Sequence, residues 1–287
     1  MAKSYAHTFG EFLGAFFEDL MKKPIREFAD KHHLYFDTTG DREAREAKKV
    51  TWTDIHGSKH DLDFVLEKGG TQSVIGEPVA FIELAWRRYT KHSKNKAQEI
   101  AGAVNPICEK FSLIKPFKGA ILSGQFTENS LNQLRNDGFH VLYIPFDIMV
   151  AAFKKYDLDI DFNEDTKESA FRLKLQALTK KANIPVLEQV RKELLSRCKD
   201  DIDRFVDELS ASYNRKISSV CILPLHGKRI EVVDIQSAID FINRYTDIPV
   251  DNKLEYVEVF ITYNNRTVIH CQFPDKAEAV AFLNKMA

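Results

Sequence analysis

The spacing of hydrophobic positions changes several times along the chain, and each change predicts an element. Over residues 11–33, Phe12, Phe16, Phe17 and Leu20 recur at helical intervals, with Pro24 opening a second helix or kinking the first. Residues 34–39 predict a short strand or an exit from that helix. Residues 50–55 predict a strand anchored by Trp52, and His56-Gly57-Ser58-Lys59 a turn out of it. The next stretch, H-D-L-D-F-V-L, alternates, which places Leu62, Phe64 and Leu66 on one face and Asp61, Asp63 and Val65 on the other. After Gly69-Gly70 and a polar loop, residues 79–86 are apolar except for Glu83, the pattern of a strand covered on both faces. Strand spacing puts Phe81, Glu83, Ala85 and Arg87 on one side of it.

Beyond residue 90, Ser93 can cap a helix whose Lys94, Gln98 and Ala101 share a face. Residues 117–123 predict a buried strand, Thr127 the cap of a helix reaching Asn136, Gly138 its end, and residues 139–145 a further strand followed by a helix. The acidic run 157–165 predicts a domain boundary, and residues 166–209 predict helices broken at Ile184-Pro185. Residues 216–287 predict a small ββαββα unit. The chain is therefore expected to be α/β, a mixed sheet flanked by helices over 1–157. A helical linker or dimerisation segment over 158–212 and an α+β recognition or interaction domain over 213–287 would follow.

Glu83 is the position that calls for chemistry. A carboxylate inside an apolar strand is costly unless it is hydrogen-bonded, paired or bound to a metal. If the two strands form a hairpin, Asp63 and Glu83 converge, and their oxygens could hold Mg2+, with Mn2+ as a substitute. Downstream, Arg87, Arg88, Lys91, His92, Lys94 and Lys96 follow one another with no acid among them and with Tyr89 interleaved, the strongest local polyanion signal in the chain. Arg42, Arg45, Lys48 and Lys49 are further candidates for phosphate contacts, diluted by Asp41, Glu43 and Glu46.

An Asp opening a hairpin strand and a Glu on the next strand before a helix resemble the PD-(D/E)xK nucleases, the superfamily of type II restriction endonucleases. Asp63 matches the Asp and Glu83 the Glu, while the lysine position holds Ala85. The resemblance implies a restriction-endonuclease-like mixed sheet, a magnesium-dependent deoxyribonuclease, DNA as partner, and a homodimer. It also implies a relocated lysine: Lys94 first, Lys91 second, Arg87 if the strand runs on. Arg87, Arg88, Lys96 and Gln98 would contact DNA. Gly14 and Glu18 are similar to the family's first-helix opening, whose Glu reaches the metal, with Glu11 as the fallback. Glu99 could add another oxygen but is expected to point away. Two other classes stay open: a nucleic-acid-binding module that has lost cleavage, for which Ala85 speaks, and a protein-interaction component of a defence or repair assembly.

Composition narrows this only slightly. The chain has 287 residues and a formal net charge of −1, so a polyanion site must be local rather than global. No apolar run is long enough to span a bilayer, the first residues do not resemble a secretory signal, and Cys108, Cys198, Cys221 and Cys271 form no C-x-x-C pair; a cytoplasmic, membrane-free protein is expected. Cys221, His226, His270 and Cys271 lack the spacing of a zinc site.

Overall fold

A computed structural model describes residues 4–224, 229–246 and 256–287. The chain divides into two units, 1–210 and 211–287. In chain order the first contains α1 (Tyr5–Lys31), β1 (Leu34–Thr38), β2 (Val50–Thr53), β3 (Lys59–Leu62), β4 (Phe64–Lys68) and β5 (Glu77–Arg87). It continues with α2 (Ser93–Lys110), β6 (Phe117–Gly124), α3 (Glu128–Asn136), β7 (His140–Pro145), α4 (Phe146–Lys154), α5 (Glu168–Lys181), α6 (Ile184–Arg197) and α7 (Lys199–Tyr213).

Five strands form one sheet in the order β1-β4-β5-β6-β7, antiparallel from β1 to β5 and parallel from β5 to β7. The short β2–β3 ladder is a separate hairpin. The chain is thus α/β with a mixed sheet, and α2 and α3 are the crossovers that parallel pairing requires. On the α2 side Phe81, Ala85, Ala120 and Leu122 pack with Ala97, Ile100, Ala101 and Val104. The helix at the start is a single one that runs through Pro24, capped by Ser4, whose side chain accepts from His7 N. It buries the aromatic stripe Phe9, Phe16, Phe17 and Phe28.

Two expectations of alternation fail for a local reason. The strand expected through Asp63 is broken there, into β3 paired with β2 and β4 paired with β1 and β5. A bend resets the two-residue period, so Leu62 joins the α2-side core together with Val65, while Phe64 turns its ring edge-on to Phe36 at 5.0 Å. The acidic run 157–165 is also not a loose boundary. Leu158, Ile160 and Phe162 are buried while Asp159 and Asp161 between them are exposed, and Phe162 packs on Phe9, Phe146 and Phe171.

Helices α5–α7, expected as a linker or dimerisation segment, pack on the first unit. Phe171 meets Phe9 at 5.4 Å and Phe205 meets Phe117 edge-on at 5.5 Å. Glu168 accepts from Tyr5 N at 2.9 Å, adding an acid at the start of α1.

Loop 39–49 carries the main internal ion network. Arg42 is about 1% exposed and donates to Asp37 at 2.7 Å, to both oxygens of Glu67 at 2.7 and 2.9 Å, and to the carbonyls of Thr71 and Val74. Arg45 pairs with Asp37 at 3.0 Å and Lys49 with Asp61 at 2.6 Å. Of the side chains expected as possible phosphate contacts, Arg42 and Arg45 are committed to internal acids, while the Lys49–Asp61 pair and the Lys48–Asp41 pair at 3.5 Å are exposed. The neighbouring loop closes so tightly that a Cβ on Gly76 would lie 2.4 Å from Gly70 N and Lys68 O.

The second unit holds β8 (Ile217–Pro224), β9 (Ile230–Val232), α8 (Ile235–Arg244), β10 (Val257–Tyr263), β11 (Val268–Phe273) and α9 (Lys276–Met286), the expected ββαββα order. Its sheet is antiparallel, β11-β10-β8-β9. Asp234 and Asp275 cap its helices through Ser237 N and Glu278 N. Ile239, Ile242, Phe282 and Leu283 share a core with Val220, Ile222, Val259 and Ile261. The turn expected at 225–228, with His226, lies outside the described residues. Among the described residues no helix is long and apolar enough to cross a membrane.

The Arg42 network yields a stability prediction. Arg42→Met leaves Glu67 buried without its cation and Asp37 with Arg45 alone, and the unfolding free energy in urea should fall by about 3–5 kcal/mol. A near-normal midpoint would contradict this reading of the loop.

Candidate active site

The break at Asp63 is what builds the site. The β4–β5 ladder is in register with Phe64 opposite Ile82, which brings Asp63, just ahead of β4, beside Glu83 in the middle of β5. Asp63 itself belongs to neither flanking strand. Its carboxylate Oδ2 accepts from Leu84 N at 2.7 Å, and its own N–H donates to Glu83 Oε1 at 3.3 Å. One side chain and one backbone group thus finish the ladder and lock the two acids together.

Both carboxyls titrate above the ordinary range. Burial raises Asp63 most, opposed by the Leu84 N–H, with the charge of Glu18 adding to the rise and that of Lys96 lowering it. Glu83, about 6% exposed, is pushed up to about 8, first by burial and then by Asp63. Among the described residues neither carboxylate has a basic side chain within ion-pair distance.

In front of them lies a cavity of about 870 Å³, lined by Glu11, Gly14 and Glu18 of α1, by Asp63, by residues 84–89 and by Lys91, Asn95, Lys96 and Glu99. The end of β5, the first half of α1 and the first turns of α2 meet there. Gly14 faces Trp86, where a Cβ would make an ordinary contact at 3.7 Å with Trp86 Cβ. Gly124, at φ +94°, lets the end of β6 close on β5; a Cβ there would lie 2.1 Å from the carbonyl oxygen of Arg87, which accepts from Gln125 N at 2.8 Å.

The structure brings together Asp63, Glu83, Glu18, Lys96, Arg87, Arg88 and Lys91, and leaves two expected residues outside. Lys94 and Gln98 are exposed and do not line the cavity. The reason is rotational. The buried stripe of α2 is Ala97, Ile100, Ala101, Val104 and Ile107, and at about 100° per residue Lys94 and Gln98 fall on one flank of it and Lys96 on the other. That apolar stripe was readable from the sequence and places Lys94 and Lys96 on opposite flanks, of which the structure turns the Lys96 flank to the cavity. Lys96 is the cation whose charge bears on both acids, is about 13% exposed, and donates to Glu99 Oε1 at 2.8 Å. Glu99, expected to point away, faces the cavity and lies 3.9 Å from Arg87 Nη2.

At the mouth, the Arg88 guanidinium sits over Tyr89 at 4.5 Å and Phe171 at 5.4 Å, and Lys91 Nζ lies 5.6 Å from the Tyr89 ring. Glu18 is held by Lys22 at 3.0 Å, and Glu11 pairs with His7 at 3.2 Å. Ala85, at the position of the motif lysine, is buried in the apolar core against α2.

A half-buried Asp63 beside a buried Glu83, with no cationic partner among the described residues, fits a hard divalent ion that keeps most of its shell as water or substrate oxygen. They do not make a closed protein cage: among the described residues no three His, Cys, Asp or Glu side chains lie close enough together to hold a metal ion. The chemistry such a site supports is polarisation of a phosphoryl oxygen or a water, next to a covered ammonium group.

Comparison with known proteins adds little. No protein-family model matches the chain, and no curated protein sequence is similar to it. One solved structure, titled Crystal Structure of Protein of Unknown Function AF1548, is 10% identical, covering 69% of this chain and 94% of its own at a TM-score of 0.29. That score is too low to bear on fold or function.

Glu83 predicts an unusual pH profile. Folded, metal-free protein keeps the Glu83 proton up to about 8, whereas the unfolded chain releases it near 4.5. Over that window the folded state binds more protons, so Glu83 makes stability fall as pH rises. Urea melts in EDTA should show Glu83→Gln gaining on the wild type as pH increases, with the gap levelling off above about 8. Parallel profiles would place the Glu83 carboxyl in a wetter setting.

Proposed function

We propose that the chain is a metal-dependent endonuclease of the PD-(D/E)xK type, hydrolysing DNA phosphodiester bonds on a restriction-endonuclease-like core. One observation carries the reading: a half-buried Asp63 is locked beside the buried Glu83 of β5, with no basic side chain among the described residues at ion-pair distance from either, and Asp63 lines a cavity edged by lysine and arginine. The helix, antiparallel strands, and parallel strands joined by helices agree with the core that the resemblance implies.

In this reading Asp63 and Glu83 hold Mg2+ or Mn2+. The bound ion would supply Lewis acidity, making a water more acidic and offsetting charge on the phosphate and the leaving oxygen. The chain's own residues do the rest. The Leu84 N–H fixes the Asp63 carboxylate so that it does not have to be ordered when substrate arrives. Lys96 takes the place of the missing motif lysine: its ammonium group donates to a non-bridging phosphate oxygen and orients the attacking water. Arg87, Arg88 and Lys91 pair with neighbouring phosphates along the strand. Glu18 adds negative charge on the α1 side.

A second reading, a module that binds nucleic acid without cutting it, draws on two observations. There is no third ligand among the described residues, and Ala85 sits where the family carries lysine. Partner and quaternary structure, DNA and a homodimer, belong to the same proposal.

The test is nicking of supercoiled plasmid with Mg2+ or Mn2+. Asp63→Asn, Glu83→Gln and Lys96→Met should each lower the rate by about 10²–10³-fold, while Lys94→Met should stay within a few-fold of wild type. Cleavage that survives Asp63→Asn and Glu83→Gln would refute the site. DNA binding with a steep salt dependence and no nicking would establish the second reading.

A further inference from the structure

The cations at the cavity mouth already hold an anion, and it comes from the same chain. Glu99 lies three residues after Lys96 on α2. Its Oε1 accepts from Lys96 Nζ at 2.8 Å, and its Oε2 lies 3.9 Å from Arg87 Nη2. A single carboxylate therefore spans two bases that come from different elements, the end of β5 and the second turn of the helix.

Exposure is uneven across this bridge. The Glu99 side chain is 65% exposed, Arg87 32% and Lys96 13%. An ion pair whose acid stands in water contributes little to stability, so the Glu99 carboxylate is held loosely. The Lys96 side chain is mostly covered, and a cation on a covered side chain has fewer waters to replace a lost counter-charge. The base therefore needs an anion more than the acid needs a base. A phosphodiester presents the same pattern as a carboxylate, two oxygens sharing one negative charge, and lysine and arginine bind both in the same way.

Building on the nuclease reading above, we propose that Glu99 is an internal stand-in for the substrate phosphate. It occupies Lys96 and Arg87 in the free protein and swings into solvent when a phosphodiester takes its place. The exchange keeps both cations ordered and charge-balanced before substrate arrives. It also sets a threshold, because a weak or singly placed anion gains nothing by displacing a carboxylate already in position. The occupant it selects is a phosphate that can reach Lys96 and Arg87 at once.

The experiment measures metal-free binding of a short fluorescein-labelled DNA duplex by anisotropy in EDTA at low salt. Glu99→Gln should bind about two- to tenfold more tightly than wild type, the factor expected on removing one exposed competing carboxylate. Glu128→Gln, which removes the same charge outside the cavity, should bind as wild type does. The gain from Glu99→Gln should shrink in an Arg87→Met background, where only Lys96 is left for the carboxylate and the phosphate to contest. Thermal melts check folding. Should Glu99→Gln not fold, Glu99→Asp, which keeps the charge but is too short to span both bases, should still show a gain over wild type.

Unchanged or weaker DNA binding by a folded Glu99→Gln protein overturns the proposal. So does a loss of Mn2+ affinity as large as that of Glu83→Gln with no gain in DNA affinity, which would make Glu99 a metal ligand. If wild type binds and cleaves but the variant gains nothing, this proposal falls alone. If wild type neither binds nor cleaves, the nuclease reading falls with it.

Discussion

A bend of one residue governs the functional end of this molecule. Asp63 leaves the ladder between β3 and β4, and its side chain, rather than a backbone carbonyl, takes the N–H of Leu84 at 2.7 Å. Without that bond the backbone N–H at the sheet end would need water or another acceptor. With it, a half-buried carboxylate is pinned beside the buried Glu83, whose ionisation it makes more costly. The arrangement makes the empty fold lose stability as pH rises from about 4.5 to about 8. Such tension is common where a protein reserves a position for an ion or a reacting group.

The surroundings are arranged about that pair. The sheet supplies both acids, α1 forms one wall of the cavity, and α2 brings Lys96 and Glu99 to the other. The basic run that follows β5 is divided by the helix: Arg87, Arg88, Lys91 and Lys96 line the cavity, while Lys94 is turned to solvent. In the proposed function the first group meets the phosphate backbone, and Glu99 regulates access to two of its members. The other large ionic feature, Arg42 with Asp37 and Glu67, holds a loop against the sheet, and its charges are fully used internally.

Much of the fold was legible because periodicity reports burial directly. The apolar run of β5, the Thr127 cap, Gly138 at φ +80°, and both hairpins of the second unit stand where the pattern puts them. The pairing of Asp63 with Glu83 was legible too, since a hairpin with an acid on each strand leaves few registers. Two features were not, and a third was legible but anchored on one residue. Alternation cannot reveal that a strand bends at Asp63, because the acid looks like any solvent-facing position. Composition cannot distinguish an arginine that neutralises Asp37 and Glu67 from one that meets phosphate, as both read as charge in a loop. The rotation of α2 was available from Ala97, Ile100 and Val104, but anchoring the face on Ala101 alone put Lys94 forward in place of Lys96.

The most direct test of the central claim is a crystal soaked in Mn2+ and measured for anomalous scattering. The account predicts one or two peaks in contact with the carboxylate oxygens of Asp63 and Glu83, with Lys96 close by. A crystal with no anomalous peak at that position, or with the two carboxyls turned apart and bound to other side chains, would contradict it.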